Sequence, residues 1–297
     1  MSDKPSPLDA IVIGGGPAGL TAAVYLGRFR RHCLVFEDGQ SRARWIPTSH
    51  NIPGFAAGVG GTELLHALRL QALKYGAAIQ PGRVSRLTKR GDVFTVRAND
   101  EVFEAPYVLL ATGVRDHLPE VEGATEAVTR GTLRICPICD AYEAIDKRIA
   151  VLGDGALGER EAHFLTNYSR QVTLLQRPSA ATAPSQTEAA DGIERITVGF
   201  QDIRLENDRV LVQIGATQRA FDVLYLAMGC STQHDLAVSL FAQCDEHGAL
   251  KVNAHQETTV SGLYAAGDVV RGLNQVVVAA AESAIAATDI HNKLRGA

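Results

Sequence analysis

A glycine-rich turn set between a short apolar run and a helix-like segment occurs twice in this chain, and this repeat restricts the fold most. In its first copy, residues 8–13 are mostly apolar, long enough for a buried strand, and lead into a glycine turn at residues 14–19. A helical pattern continues to about residue 30, and a second apolar run, residues 33–36, ends at an acidic pair. This order of strand, turn, helix, strand and acid is typical of a dinucleotide-binding unit.

The first turn predicts a binding site for an adenine dinucleotide. Its glycines allow the backbone to approach a pyrophosphate at the helix N-terminus, where amide groups are free to bind it. The acid at the end of the second strand can accept hydrogen bonds from ribose hydroxyls, which a merely tight turn would not require. The predicted contacts are Gly14, Gly16, Pro17, Ala18, Gly19, Glu37 and Asp38.

The second copy has the same order of elements but lacks the acid. Residues 148–152 form the strand and residues 153–158 the turn, with a helix expected at about residues 159–168. The next strand ends in Gln176-Arg177-Pro178, which offers neither an acid for ribose hydroxyls nor an arginine cluster for a 2′-phosphate. The predicted contacts of this second site are Gly153, Gly155 and Gly158.

The repeat predicts an α/β fold with two Rossmann-like dinucleotide-binding domains, each of three layers (ββα), the second inserted in the first. Residues 79–105 alternate apolar and polar side chains, as in a β meander. We expect the first, discontinuous domain to comprise residues 1–116 plus 231–297, and the second to comprise residues 117–230.

Three further segments predict contacts with a bound cofactor. After the strand at residues 107–111, an Ala-Thr-Gly turn would let a cofactor lie against the backbone. A strand at residues 261–266 stops at a Gly-Asp pair, whose aspartate could hydrogen-bond a ribityl hydroxyl or, alternatively, cap a helix. The last helix, roughly residues 275–293, could direct its N-terminus at an electron-rich ring carbonyl. The predicted contacts are Ala111, Thr112, Gly113, Gly267, Asp268, Gln275 and Val276.

Between the two glycine turns lies Cys136-Pro137-Ile138-Cys139-Asp140, a cysteine pair at the spacing that closes a small disulfide loop. The thiolate is the reacting species, and a helix N-terminus lowers the thiol pKa, so such a pair can cycle between dithiol and disulfide near neutral pH. We predict Cys136 and Cys139 as the redox-active pair, and Asp140 as the carboxylate that moves the proton.

The alternative for this cysteine pair is half of a zinc site. Zinc would need two further ligands at usable spacing, and the sequence has no second CxxC and no HxxxH. We therefore predict no metal. The other cysteines, Cys33, Cys230 and Cys244, are scattered and are expected to be packed, inert thiols.

Composition excludes several classes of function. The 297 residues carry a formal net charge of −4 with a pI near 6.1, so there is no electrostatic reason to expect nucleic-acid or membrane binding. No apolar run reaches the ~18 residues of a spanning helix, and the N-terminus lacks the apolar core of a signal peptide. Cysteines are too sparse for a secreted disulfide scaffold, so we expect a cytoplasmic protein.

Taken together, these motifs resemble the low-molecular-weight thioredoxin reductases and related flavoprotein disulfide reductases over nearly the whole chain. The resemblance runs through both glycine turns, Glu37, residues 51–54 and 111–113, the cysteine motif and Gly267-Asp268, in the order and spacing of that family. It implies that FAD is held by the first turn, Glu37 and Gly267-Asp268. Asn51 and Val84 complete the predicted FAD contacts.

The resemblance also implies the reaction. Cys139 would face the flavin C4a position and Cys136 the outside substrate, with Asp140 as the proton shuttle. Electrons would pass from flavin to disulfide to a thioredoxin-like protein or a small disulfide. The implied assembly is a homodimer, and the domain that carries the cysteines would rotate about hinges near residues 115–116 and 229–232.

In three places this sequence differs from the pattern of the family, and these differences bear on which electron donor the protein uses. Members that use NADPH carry a His-Arg-Arg-type run where this chain has Gln176-Arg177-Pro178, so charge-assisted bonds worth ~1.5–3 kcal/mol each would be lost. The Arg-Gln that precedes the last helix in the family is Asn274-Gln275 here, and the run CPICDAYE is closer to divergent relatives. NADPH is therefore a doubtful cofactor, and the second turn could hold a second FAD.

The preferred function is an FAD-dependent, thioredoxin reductase-like disulfide oxidoreductase with a non-standard electron donor, such as a ferredoxin-like protein or a second flavin. Two enzymatic alternatives are an ordinary NADPH-dependent thioredoxin reductase and a flavin dithiol oxidase that uses oxygen. The non-enzyme alternative is a redox-sensing, flavin-binding protein.

Overall fold

The computed structural model describes residues 7–178, 186–188, 191–270 and 272–296. The first part of the chain contains β1 Ala10–Ile13, α1 Pro17–Arg28, β2 Cys33–Glu37, a 3₁₀ helix Arg42–Trp45, α2 Gly61–Lys74, β3 Ala78–Pro81, β4 Val84–Arg90, β5 Val93–Ala98, β6 Glu101–Ala105, β7 Tyr107–Leu110 and β8 Val114–Asp116. The middle part contains α3 Ala124–Arg130, β9 Leu133–Arg134, α4 Pro137–Asp140, β10 Ile149–Gly153, α5 Gly155–Leu165, β11 Val172–Gln176, β12 Gln186–Glu188, β13 Glu194–Thr197, β14 Ile203–Leu205, β15 Val210–Ile214, β16 Thr217–Phe221 and β17 Val223–Ala227. The last part contains β18 Cys230–Thr232, α6 Asp235–Val238, β19 Leu263–Ala265 and α7 Val276–Arg295. Of the helices in these described ranges, none is both long and apolar enough to cross a membrane.

The first sheet is parallel throughout and has the strand order β19-β7-β1-β2-β3. Its strands are apolar runs because both faces of the sheet are covered, as parallel sheets require. Helices α1 and α7 pack on one face, around residues such as Val12 and Ile290. The antiparallel sheet β4-β5-β6 packs on the other face, where Phe94 and Val96 are fully buried. These are the three layers that the sequence predicts.

The second sheet repeats this architecture. Its strand order is β12-β13-β11-β10-β17-β9, and every pairing except that of β12 with β13 is parallel. Helix α5 covers one face through Ala162 and Leu165. The antiparallel sheet β14-β15-β16 covers the other, burying Val210 and Phe221. The predicted α/β fold with two Rossmann-like units is therefore confirmed.

The chain passes between the two sheets at an antiparallel ribbon formed by β8 and β18. In this ribbon Asp116 pairs with Cys230, and Val114 pairs with Thr232. Strand β8 precedes the segment that forms the second sheet and β18 follows it, so the second unit is inserted between them. The expected domain boundaries, after residues 116 and 230, fall at this ribbon and stay a prediction.

Two local expectations were wrong. Helix α5 begins at Gly155 and not near residue 159, because the small residues of the glycine turn form its first helical turn. The sequence shows helical periodicity only after that turn. Cys230 is exposed and not packed, because it lies in the two-stranded ribbon outside the main cores; Cys33 is buried and Cys244 is partly buried.

Leu109 is fully buried in β7, an inner strand of the first sheet, whereas Leu70 on α2 is 53% exposed. We expect Leu109→Ala to lower the free energy of unfolding by ~2–5 kcal/mol, because it leaves a cavity in a packed core. Leu70→Ala, the control, should cost less than ~0.5 kcal/mol. Urea denaturation followed by circular dichroism measures both, and equal losses in the two variants would contradict the packing described here.

Candidate redox site

The two cysteines of the CxxC motif form a disulfide at the start of a short helix. Cys136 occupies the N-cap of α4, Pro137 begins the helix, and Cys139 lies one turn further on, with the two cysteine Cα atoms 5.3 Å apart. The spacing produces this contact because one helical turn brings positions i and i+3 together. Both cysteines are only partly buried. The predicted pair is thus present in its oxidised form.

A cavity of about 400 Å³ connects the first glycine turn with the disulfide. It lies beyond the carboxyl ends of strands β1 and β7, the edge at which α/β sheets bind ligands. Residues of both structural repeats therefore share one cavity. The predicted site residues on its wall are Gly14, Gly16, Pro17, Ala18, Asp38, Asn51, Val84, Ala111, Thr112, Gly113, Cys136, Cys139, Asp140, Gly267, Asp268, Gln275 and Val276.

Gln275, the residue before α7, contacts both sulfurs of the disulfide. Its Nε2 lies 3.4 Å from Cys139 Sγ and 3.6 Å from Cys136 Sγ. Its Oε1 accepts a hydrogen bond from Asn51 Nδ2 at 2.8 Å, and Ser49 Oγ donates to Asn51 Oδ1 at 2.8 Å. These bonds fix the glutamine amide with its donor towards the sulfurs, where it can stabilise negative charge on a thiolate.

Asp140 lies directly after the disulfide in a partly buried, hydrogen-bonded setting. The Tyr225 hydroxyl donates to Asp140 Oδ1 at 2.9 Å, and Arg134 Nη1 lies 3.6 Å from the same oxygen. Burial raises the pKa of Asp140 to about 6, while the charge of Arg134 and the Tyr225 hydrogen bond act in the opposite direction. A carboxyl with this pKa can give up and take up a proton near neutral pH.

Comparison with known proteins points to the same chemistry. The family model for pyridine nucleotide-disulphide oxidoreductases matches residues 8–283 of the chain. The chain belongs to this family. The thioredoxin reductase of Mycolicibacterium smegmatis is 33% identical over 302 residues, which cover 97% of this chain and 96% of that protein. The thioredoxin reductase of Helicobacter pylori is 29% identical over 312 residues, which cover 95% of this chain and 97% of that protein.

Solved structures of the family show the same fold. Thioredoxin reductase from Streptococcus pyogenes has a TM-score of 0.88 at 25% identity, with 99% of this chain and 100% of that chain covered. HlmI has a TM-score of 0.86 at 26% identity, with 99% and 94% covered. The resemblance to thioredoxin reductase-like flavoprotein disulfide oxidoreductases is confirmed, and the chain is an enzyme of this class.

FAD, which membership of this family implies, fits the first glycine turn. A Cβ on Gly14 would lie 2.1 Å from the backbone oxygen of Ala111, and Gly14 has a φ of +118°, a conformation that glycine adopts readily. A Cβ on Gly19 would lie 1.8 Å from the Gly14 carbonyl oxygen. The turn is therefore packed so closely against β7 and α1 that backbone atoms form the cavity wall, as binding of a pyrophosphate requires.

Glu37 and Gly19 are the predicted first-turn residues that do not line this cavity. The carboxylate of Glu37 forms an ion pair with Arg69 on α2, while Asp38 reaches the cavity wall. That Glu37 accepts hydrogen bonds from ribose hydroxyls stays a prediction. It requires the carboxylate either to bind the ribose while it stays paired with Arg69 or to break that ion pair. Sequence alone could not show this competition because Arg69 lies on the next helix, outside the motif.

Arg42 is a cavity residue that sequence reasoning missed. Its guanidinium donates to both carboxylate oxygens of Asp116, at 2.6 and 2.8 Å, and lies 3.4 Å from Asp268 Oδ2. Burial raises the pKa of Asp268, and the charge of Arg42 opposes that shift. The aspartate predicted to hold the ribityl chain is thus oriented by a cation from the 3₁₀ helix, where no sequence motif marks it.

The second glycine turn, with Gly153, Gly155 and Gly158, does not line this cavity. Its central residue, Asp154, accepts hydrogen bonds from the Arg177 backbone N–H at 2.9 Å and from Arg177 Nε at 2.6 Å. Arg177, which directly follows β11, is therefore already paired with a carboxylate of the turn. The next twelve residues of the sequence after residue 178 contain no lysine or arginine that could replace it.

We expect Gly14→Val to abolish flavin retention, because its side chain would occupy the space held by the Ala111 carbonyl and force the turn open. The flavin absorbance of the purified protein after gel filtration measures this. Gly91→Ala is the matched control: Gly91 also has a positive φ, but no atom lies within 4 Å of the added Cβ. A Gly14→Val protein that stays yellow would show that the first turn does not hold the cofactor.

Proposed function

We propose that the protein is an FAD-dependent disulfide reductase of the thioredoxin reductase type, which passes electron pairs through Cys136 and Cys139 to an outside disulfide. The observation that carries this proposal is that the first glycine turn and the disulfide border one cavity. When bound there, FAD supplies two-electron chemistry that amino-acid side chains lack. The names of the relatives favour a thioredoxin-like protein as substrate, with a small disulfide as the alternative.

The side chains around the disulfide have separate tasks in this proposal. Cys139 is the sulfur that faces the flavin, and Cys136 is the sulfur that exchanges with the substrate. Gln275, whose amide donates towards both sulfurs, stabilises the thiolate that forms when the bond between them breaks. Asp140 supplies and recovers the proton.

Each of Cys136→Ser and Cys139→Ser should lower turnover with thioredoxin by at least roughly 10³-fold, because neither single thiol can form the internal disulfide. Cys244→Ser, at a partly buried thiol outside the site, is the control and should keep full turnover. The measurement is thioredoxin-dependent disulfide reduction under anaerobic conditions with dithionite-reduced enzyme. Normal turnover in either site variant would contradict the proposed path of electrons.

The description of the family makes a pyridine nucleotide the expected electron donor. A second candidate is a donor other than NADPH, such as a ferredoxin-like protein or a second flavin at the second turn. The pairing of Asp154 with Arg177 favours it. Asp154 occupies the N-cap position of α5, where a pyrophosphate would bind, and its carboxylate engages the arginine that a 2′-phosphate would need.

Anaerobic reduction of the bound flavin separates these candidates. Rapid bleaching by NADPH would identify the ordinary reductase, whereas slow bleaching by NADPH and rapid bleaching by reduced ferredoxin would identify the second candidate. A flavin count of two per chain would support a second FAD. Reduction by a small dithiol followed by rapid reoxidation with oxygen would indicate a dithiol oxidase. Absence of turnover with every donor would leave a redox-sensing role.

We expect Asp154→Gly to tighten NADPH binding by up to about tenfold, because it frees Arg177 and removes a negative charge from the turn. The gain is modest because both side chains of the pair are substantially exposed, 40% and 50%. The NADPH concentration that half-saturates flavin reduction measures the effect. Asp100→Gly, in the exposed turn between β5 and β6, is the control. An unchanged or weaker affinity would remove the structural argument against NADPH.

The homodimer and the cytoplasmic location stay predictions. Light scattering coupled to gel filtration measures the mass of the assembly directly. A particle with the 31.7 kDa mass of one chain would contradict the dimer.

A further inference from the structure

Asp140 is held by two residues of the second sheet that no motif identifies. Tyr225 on β17 is fully buried, and its hydroxyl lies 2.9 Å from Asp140 Oδ1 and 3.1 Å from the Asp140 carbonyl oxygen. Arg134 on β9 donates from Nη1 to the Tyr225 hydroxyl at 3.0 Å and to the Asp140 carbonyl oxygen at 2.5 Å. Its Nε donates to the Gly131 carbonyl at 3.1 Å, which fixes the guanidinium plane.

Arg134 and Tyr225 form one unit because their strands are neighbours. They are direct partners in the parallel register of β9 and β17. The guanidinium carbon also lies 5.7 Å from the centre of the tyrosine ring. The hydrogen bonds therefore run from the guanidinium to the phenol and from the phenol to the carboxylate of Asp140.

Asp140 and Arg134 border two cavities at once. The first cavity contains the disulfide and the glycine turn. The second, of about 330 Å³, is bordered by the loop at Pro47 and Thr48. It is open to solvent, and the exposed Lys147 is one of its lining residues. The carboxyl of Asp140 thus lies in the partition between the redox cavity and a polar cavity that reaches solvent.

The environment of this carboxyl contains both signs of charge. Arg134 faces it from β9, Tyr225 from β17, and Glu143 from the turn after α4, where its negative charge raises the pKa of Asp140. The other charged or titratable side chains of the second cavity are His50, Arg130, Lys147, Asp208 and Asp222.

We propose that Tyr225 and Arg134 are positioning residues that hold the Asp140 carboxyl in the partition, so that it exchanges protons with the disulfide on one side and with solvent on the other. This inference rests on the proposed function, in which Asp140 serves thiol–disulfide exchange. Each residue contacts both the carboxylate and the backbone carbonyl of Asp140, and each therefore acts on the disulfide through Asp140.

An incoming thiolate forms a bond to one sulfur of the Cys136–Cys139 disulfide, the bond between the two cysteine sulfurs breaks, and the other sulfur leaves with the electron pair. That sulfur takes the proton of the Asp140 carboxyl and becomes a thiol. The carboxylate that remains regains a proton from water in the second cavity. In the reverse direction, the Asp140 carboxylate takes the proton of that thiol, and the resulting thiolate displaces the outside sulfur and restores the disulfide.

The sign of the expected shift follows from the contacts. Both the Arg134 charge and the Tyr225 hydrogen bond lower the pKa of Asp140, which burial has raised to about 6. Removing either neighbour should therefore raise the midpoint of Asp140 ionisation by about one pH unit, the usual effect of one hydrogen bond to a charged group. The test variants are Tyr225→Phe and Arg134→Met.

The first measurement is a pH titration of the aspartate side-chain carboxyl carbons by NMR in the oxidised holoprotein, with the Asp140 signal assigned by its loss in Asp140→Asn. Tyr264→Phe is the matched control, because Tyr264 is also fully buried and donates to a carboxylate, that of Asp289, at 2.5 Å. We expect upward shifts in the two test variants and none in the control. An unshifted Asp140 midpoint in either folded test variant overturns the proposal.

The second measurement is the rate at which dithiothreitol reduces the disulfide, followed by thiol trapping. Because the carboxyl stays protonated to higher pH, Tyr225→Phe should react faster than wild type above about pH 6, by up to about tenfold above pH 7, and nearly equally fast below about pH 5. A rate ratio that does not change with pH overturns the proposal. Dithiothreitol needs no flavin or enzymatic donor, so this result stands whether or not the proposed flavin reaction is correct.

Discussion

The contact between the Gln275 amide and the two sulfurs is the interaction on which the rest of the site depends. Gln275 belongs to the first unit and the cysteines to the segment that forms the second, so this contact joins the nucleotide cavity to the thiols. Asn51 and Ser49 determine which end of the amide faces the sulfurs. A hydrogen bond to sulfur is weak, which suits a contact that must break if a protein-sized substrate is to reach the disulfide.

The ribbon of β8 and β18 shows how such a separation could occur without damage to either core. The described structure passes from one sheet to the other at these two short strands, and each sheet is buried by its own layers. Asp116, at the end of β8, binds Arg42, and Arg42 also contacts Asp268. The ribbon is therefore connected, through Arg42, to the aspartate that we expect to hold the flavin.

Features of the fold that depend on local sequence could be predicted, and those that depend on distant pairs could not. The glycine turns, the apolar strands and the CxxC loop each lie within a few consecutive residues, and the structure has them all. Arg134, Tyr225 and Arg42 belong to no sequence motif, and although Arg134 lies only six positions before Asp140, each of the three also contacts a residue far along the chain. Arg134 and Tyr225 are 91 positions apart, and Arg42 and Asp268 are 226 apart. Only tertiary packing brings the side chains of each pair together.

The two glycine turns share one order of elements but differ in where their charged residues lie. In the first turn, Gly15, between Gly14 and Gly16, leaves room for Glu37. A Cβ added to Gly15 would lie 2.4 Å from the Cβ of Glu37. In the second turn, the residue between the first two glycines of the motif is Asp154, and the end of the following strand carries Arg177 in place of an acid. The acidic residue thus lies in the turn and not at the end of the strand, and it forms an ion pair with the arginine at the strand end. The second turn thus keeps the glycine spacing of the first, but its charged side chains pair with each other.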